Sequence, residues 1–189
     1  MDHKKIIKFL WITGLIFIIL SVIEIAFIIL LNFVEFDLNE SSILLSEFIY
    51  GSSYISLTGT VLWLFCIISM VLFLIFGLFI FKTARTNTIE SKSMAKLMIV
   101  VGMVILLGAF IKMNYLVLLG KTTLFFPPPV GIVTFQTALF RPDITPLMPA
   151  IFWIYFTSVN CFLMIISLII TAFGIKWTLD IEQLESKDK

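Results

Sequence analysis

Three polar residues stand inside runs that are otherwise apolar: Glu24, Lys112 and Asn160. A carboxylate, an ammonium and a carboxamide in such surroundings can build an ion pair, a proton relay or a site for a polar substrate. A charge in hydrocarbon is costly and is rarely left alone, so each of these groups demands a partner. Asn114, two residues past Lys112, offers a second carboxamide. Counting along the chain puts the three at one level. Lys112 lies sixteen residues past Lys96, Glu24 sixteen past Lys8, and Asn160 sixteen before Lys176, which is about 24 Å of helix in each case. Three readings of Lys112 follow. Its stem can snorkel to the membrane surface, it can form a structural ion pair with Glu24, or it can belong to a working site for an ion, a proton or a polar substrate.

The elements that must hold these residues are legible in the composition. Of 189 residues, 60% are hydrophobic and only 13% charged, against about 25% charged in soluble domains. Four stretches, 6–31, 55–81, 97–119 and 150–175, are each long enough to cross hydrocarbon, which takes about 20 helical residues. They predict an all-α integral membrane protein, a single membrane domain built as a left-handed, antiparallel four-transmembrane-helix bundle. The first stretch is too long for a cleaved signal peptide and lacks a small-residue cleavage site, so it reads as a retained anchor. Basic residues set the orientation. The N-terminus carries Lys4, Lys5 and Lys8. The segment 82–96 holds Lys82, Arg85, Lys92 and Lys96, and the tail 176–189 holds Lys176, Lys187 and Lys189. The opposite loops, 32–54 and 120–149, hold only Lys121 and Arg141. Both termini are therefore expected on the cytoplasmic side of a cell membrane.

In loop 32–54, Ser41 or Ser42 is expected to cap a short interfacial helix with Leu44, Leu45, Phe48 and Ile49 on one face. Asn39-Glu40-Ser41 is a glycosylation sequon on the outer side. Loop 120–149 is unusually apolar. Pro127–Pro129 predicts extended polyproline II, Arg141-Pro142-Asp143 a turn, and Pro146 with Pro149 the opening of the fourth helix. This loop can pack on the ends of its own helices, form a re-entrant segment, or present Phe125, Phe126, Pro127, Pro128, Pro129, Phe135 and Arg141 as a docking surface.

Catalytic signatures are missing: there is no G-x-S-x-G, no H-E-x-x-H and no Walker loop. One histidine, His3, and two isolated cysteines, Cys66 and Cys161, suggest neither a metal site nor a disulfide, and no cofactor is expected. Both thiols are expected to be buried as small hydrophobes. The absence of a basic stripe argues against nucleic acid. No apolar stretch has an interior proline and the halves show no repeat, unlike the broken helices of transporters. Small residues such as Gly14, Ser21, Gly77, Gly102, Gly108, Ala109, Ser167, Thr171 and Gly174 suit close helix approach. The layout resembles tetraspan membrane proteins in topology alone; the loop cysteine motifs of claudins and tetraspanins are absent. The function expected is that of an accessory or interaction subunit, with membrane lipids and other membrane protein subunits as partners. The alternative is a small transporter or channel using Glu24, Lys112 and Asn160, and a lipid- or quinone-active enzyme comes third.

Overall fold

A computed structural model describes residues 3–38, 41–50, 57–86, 92–126, 128–145 and 147–187, and it is mostly helical. The order is α1 (His3–Leu30), β1 (Glu35–Leu38), β2 (Ser41–Leu44), α2 (Leu45–Tyr50), α3 (Leu57–Thr86), α4 (Lys92–Gly120), β3 (Thr123–Phe125), β4 (Ile132–Thr134), α5 (Phe135–Leu139) and α6 (Leu147–Lys187). Helices α1, α3, α4 and α6 are long and apolar enough to cross a membrane. The last two outrun expectation. Helix α4 already begins at Lys92, and α6 absorbs most of the expected tail in a helix of 41 residues, about 61 Å long. The sequence after Ile175 contains no glycine or proline to stop it. Lys92 also bridges Glu182 and Glu185 on that extension at 3.3 and 2.9 Å.

Hydropathy gives these helices no preferred face, because lipid and core are equally apolar. Burial does. On α4 a line of buried positions runs through Ala95, Met98, Gly102, Ile105, Ala109, Lys112, Leu116 and Leu119 in alternating steps of three and four, with Met94, Val101, Gly108 and Tyr115 buried beside it. On α3 such a line runs through Met70, Phe73, Gly77, Ile80 and Ala84, and on α6 through Phe156, Asn160, Leu163, Ser167, Ile170, Gly174 and Trp177. Ile6, Leu10, Thr13, Phe17, Ser21 and Glu24 follow suit on α1. This is the 3.5-residue repeat of a coiled-coil seam. Trp177, near the end of the fourth apolar stretch, is buried in that seam beside Phe173.

The contacts divide the chain into two compact units. One comprises Met1–Ile23, Ser69–Ala109 and Phe162–Lys189. Within it, backbones approach closely at small residues. A Cβ on Gly14 would lie 2.8 Å from Phe81 N, one on Gly102 2.9 Å from Ser167 O, and one on Gly174 3.0 Å from Ile99 N. Gly108 faces the Phe73 ring across α3 and α4, and Phe9 stacks on Phe173 at 3.8 Å between α1 and α6.

The other unit comprises Glu24–Ile68 and Phe110–Cys161. Its two connecting segments depart from the sequence reading. Ser41 and Ser42 lie in β2, paired antiparallel with β1 from Glu35↔Leu44 to Leu38↔Ser41, and the short helix starts at Leu45. The capping role fails because a ladder takes the serine backbones. Polyproline II gives way too. Thr123↔Thr134, Leu124↔Val133 and Phe125↔Ile132 pair across a second hairpin. The Pro128–Pro129 peptide is cis, in the turn between the two strands. The Phe126 amide donates to Gly131 O at 2.9 Å, and Gly131 takes the left-handed φ of 72° that only glycine adopts without strain. Asn39, Pro127 and Pro146 lie outside the described residues, as do the side chains of Trp63 and Cys66. Cys161 is free and exposed rather than buried.

Candidate functional site

The polar residues of the second unit are positioned by helical phase. Glu24 falls on the buried seam of α1, Lys112 on that of α4 and Asn160 on that of α6, so all three turn inward. Asn114 sits two residues from Lys112, about 200° around the helix. It is exposed, and its amide donates to Phe110 O of its own helix at 2.8 Å.

Lys112 Nζ donates to Glu24 Oε1 at 2.6 Å, and the two side chains are only 3% and 2% exposed. The ammonium does not snorkel: it is held inside. It also lies 5.4 Å from the centre of the Phe156 ring, within cation–π range. Phe27, from α1, stacks on Tyr155 at 4.2 Å and meets Phe152 and Phe156 edge-on at 4.9 and 6.2 Å. The charge pair is thus set among aromatic rings, where its Coulomb attraction is strong because the surroundings are weakly polarisable.

Asn160 shares the level but not the pair. Its Nδ2 donates to Phe156 O at 2.8 Å within α6, and its buried Oδ1 has no hydrogen-bond partner among the described residues. The Tyr155 hydroxyl and Thr157 Oγ1 are likewise buried without a partner. Of the expected cluster, the structure therefore joins Glu24 to Lys112 and leaves Asn160 and Asn114 bonded locally.

The two connecting segments converge on an apolar core containing Leu31, Val34, Phe48, Leu119, Leu124, Phe135 and Leu139. Phe135, expected on a docking surface, is 2% exposed and stacks on Phe48 at 5.0 Å. It turns inward because α5 starts there. Thr134 accepts from the Thr137 amide at 3.2 Å as the N-cap, which places Phe135, Ala138 and Leu139 on one inward face. Thr145 Oγ1 donates to Ala138 O at 2.8 Å and closes the segment. Phe126 packs partly against the same core. Arg141 is engaged with Asp143, donating from Nε at 3.2 Å and from Nη2 at 2.6 Å. Those hydrogen bonds hold the Asp143 carboxyl below the usual carboxylate range. The outward remainder of the expected surface is Phe125, Pro128 and Pro129. Ile132, which the sequence reading passed over, joins them as the cross-strand partner of Phe125.

A cavity of about 30 Å³ lies within this core, lined by apolar and aromatic side chains including Leu116, Phe135, Phe152 and Phe156. Such walls offer a water or an ion no polar partners. Among the described residues, no three His, Cys, Asp or Glu side chains gather as a metal site would require. Compared with protein-family models, curated proteins and solved structures, the chain matches none.

Proposed function

We propose that this chain is a non-enzymatic, multi-pass membrane protein that acts as an accessory subunit, docking an apolar segment of a second membrane protein on its β3–β4 hairpin. The observation that carries this reading is the Phe125–Ile132 pair. Both residues are 65% exposed, while Leu124 on the opposite face of the same ladder is 1% exposed in the core. The hairpin is thus anchored by one face and displays two large apolar groups on the other. Rigidly held aromatic and aliphatic anchors are what binding hot spots consist of, and Pro128 and Pro129 widen the patch. The surrounding architecture is read as a left-handed, antiparallel four-helix bundle with both termini in the cytoplasm. Close contacts of α1 with α3, α3 with α4, α4 with α6 and α6 with α1 support the bundle, and the sorting of lysine and arginine supports the orientation.

A photoreactive residue in place of Phe125, in the protein expressed in its native membrane, tests the docking. It is expected to cross-link to one polypeptide in near-stoichiometric yield, and the same residue at the lipid-facing Leu107 is not. The double change Phe125→Ser, Ile132→Ser is expected to release that polypeptide with helicity unchanged. Equal, diffuse labelling from both positions, or a monomer in mild detergent with no cross-linked partner, sinks the reading.

A further inference from the structure

Helix α1 ends in a tight turn in which the Leu31 amide donates to Phe27 O, Asn32 to Ile29 O and Phe33 to Leu30 O, at 2.9–3.1 Å. This turn throws Phe33 outward, to 75% exposure, and turns Val34 in. Beside it lies an open groove of about 360 Å³, lined by Leu30, Phe33, Val34, Glu35 and Met148. The volume is at the low end of the roughly 300–1,000 Å³ typical of ligand sites. Four of the five lining side chains are apolar, and the fifth is an exposed carboxylate.

Depth and charge together say what fits. Leu30 lies 22 residues past Lys8, about 33 Å along the helix, close to the roughly 30 Å thickness of hydrocarbon. The groove is therefore level with the outer headgroups, with its apolar wall toward the acyl chains. Glu35 supplies a negative charge at the rim, and Glu47, also exposed, adds to the acidic character of that loop. An anionic headgroup is repelled there, and an ammonium is attracted.

We propose that this groove binds a membrane lipid whose headgroup carries an ammonium, with its chain against Leu30, Phe33 and Met148 and its nitrogen beside Glu35. The ammonium can be primary, as in ethanolamine lipids, or quaternary, as in choline lipids. The inference is independent of docking at the β3–β4 hairpin, which uses none of these residues.

The full-length protein, reconstituted in nanodiscs of equal parts phosphatidylethanolamine, phosphatidylcholine and phosphatidylglycerol, supplies the test. Lipids retained after detergent extraction are quantified by mass spectrometry. Retained ethanolamine or choline lipid is expected to exceed the glycerol lipid. Which of the two leads identifies the ammonium. Glu35→Gln is expected to reduce that preference roughly fivefold, the scale of one exposed charge pair, while Glu47→Gln leaves it in place. Phe33→Ala is expected to lower total retained lipid. Thermal unfolding of each variant shows whether it is folded. Equal retention of all three lipids, preference for the anionic lipid, or an unchanged preference in folded Glu35→Gln overturns the proposal.

Discussion

A buried ion pair is weak evidence for stability, because the cost of desolvating two charges rivals their mutual attraction. Removing one partner is a different matter, since it strands the other charge in an interior where both side chains are nearly inaccessible. Glu24→Gln and Lys112→Met, each alone, are therefore expected to destabilise the protein by about 3–5 kcal/mol, and the double change Glu24→Leu, Lys112→Met to be close to neutral. Unfolding by denaturant titration in detergent checks this double-mutant cycle. If the single variants instead fold with wild-type stability and lose an ion or proton flux across vesicles, the pair is a working site, and its structural role is refuted. The partnership was one of three readings open in the sequence, and it rested on two opposite charges standing sixteen residues from Lys8 and Lys96. The isolation of Asn160 was not. A carboxamide can place its donor on the carbonyl four residues back, as Asn160 does on Phe156, and nothing in residue order announces that choice.

Between elements, the seam is set by glycine. Gly14→Ala places a methyl 2.8–3.0 Å from backbone atoms of α3, which cannot give way without moving the helix. Gly102→Ala meets backbone atoms of Ser167 and Thr171 at 2.9–3.0 Å and Thr171 Oγ1 closer still. Both are expected to cost about 1–3 kcal/mol of unfolding free energy. Gly108→Ala meets only the rim of the Phe73 ring at 3.1 Å, which can rotate away, and is expected to stay within about 1 kcal/mol of wild type. Thermal denaturation of the three variants in one detergent gives the order directly. These positions also explain what could be read beforehand. Helix number and span followed from length and hydropathy. The inward face did not, because lipid-facing and core-facing residues are both apolar. It was written instead in the small and polar residues: Ala95, Gly102 and Ala109 recur every seven residues, and Lys112 follows three further on, marking the face of α4. The strands escaped notice for a plainer reason. Three or four residues, as in Thr123–Phe125 or Ser41–Leu44, are too few for an alternating pattern to emerge.

For the whole molecule, orientation is the expectation with the widest consequences. Of the twelve Lys and Arg residues other than Lys112, ten are sorted to the side assigned to the cytoplasm. A green fluorescent protein fused after Lys189 is expected to fluoresce, and a periplasmic-type phosphatase at the same point to stay inactive; the opposite pattern inverts the topology. Orientation bears in turn on how the protein is made. Glu24 and Lys112 are 88 residues apart, and chains grow at roughly 5–20 residues per second. For about 4–18 s, α1 is already emerging while the ammonium it will pair with has not been synthesised. Only when α4 arrives can Glu24 take its final partner, so the buried pair ties the assembly of α1 to that of a helix made much later.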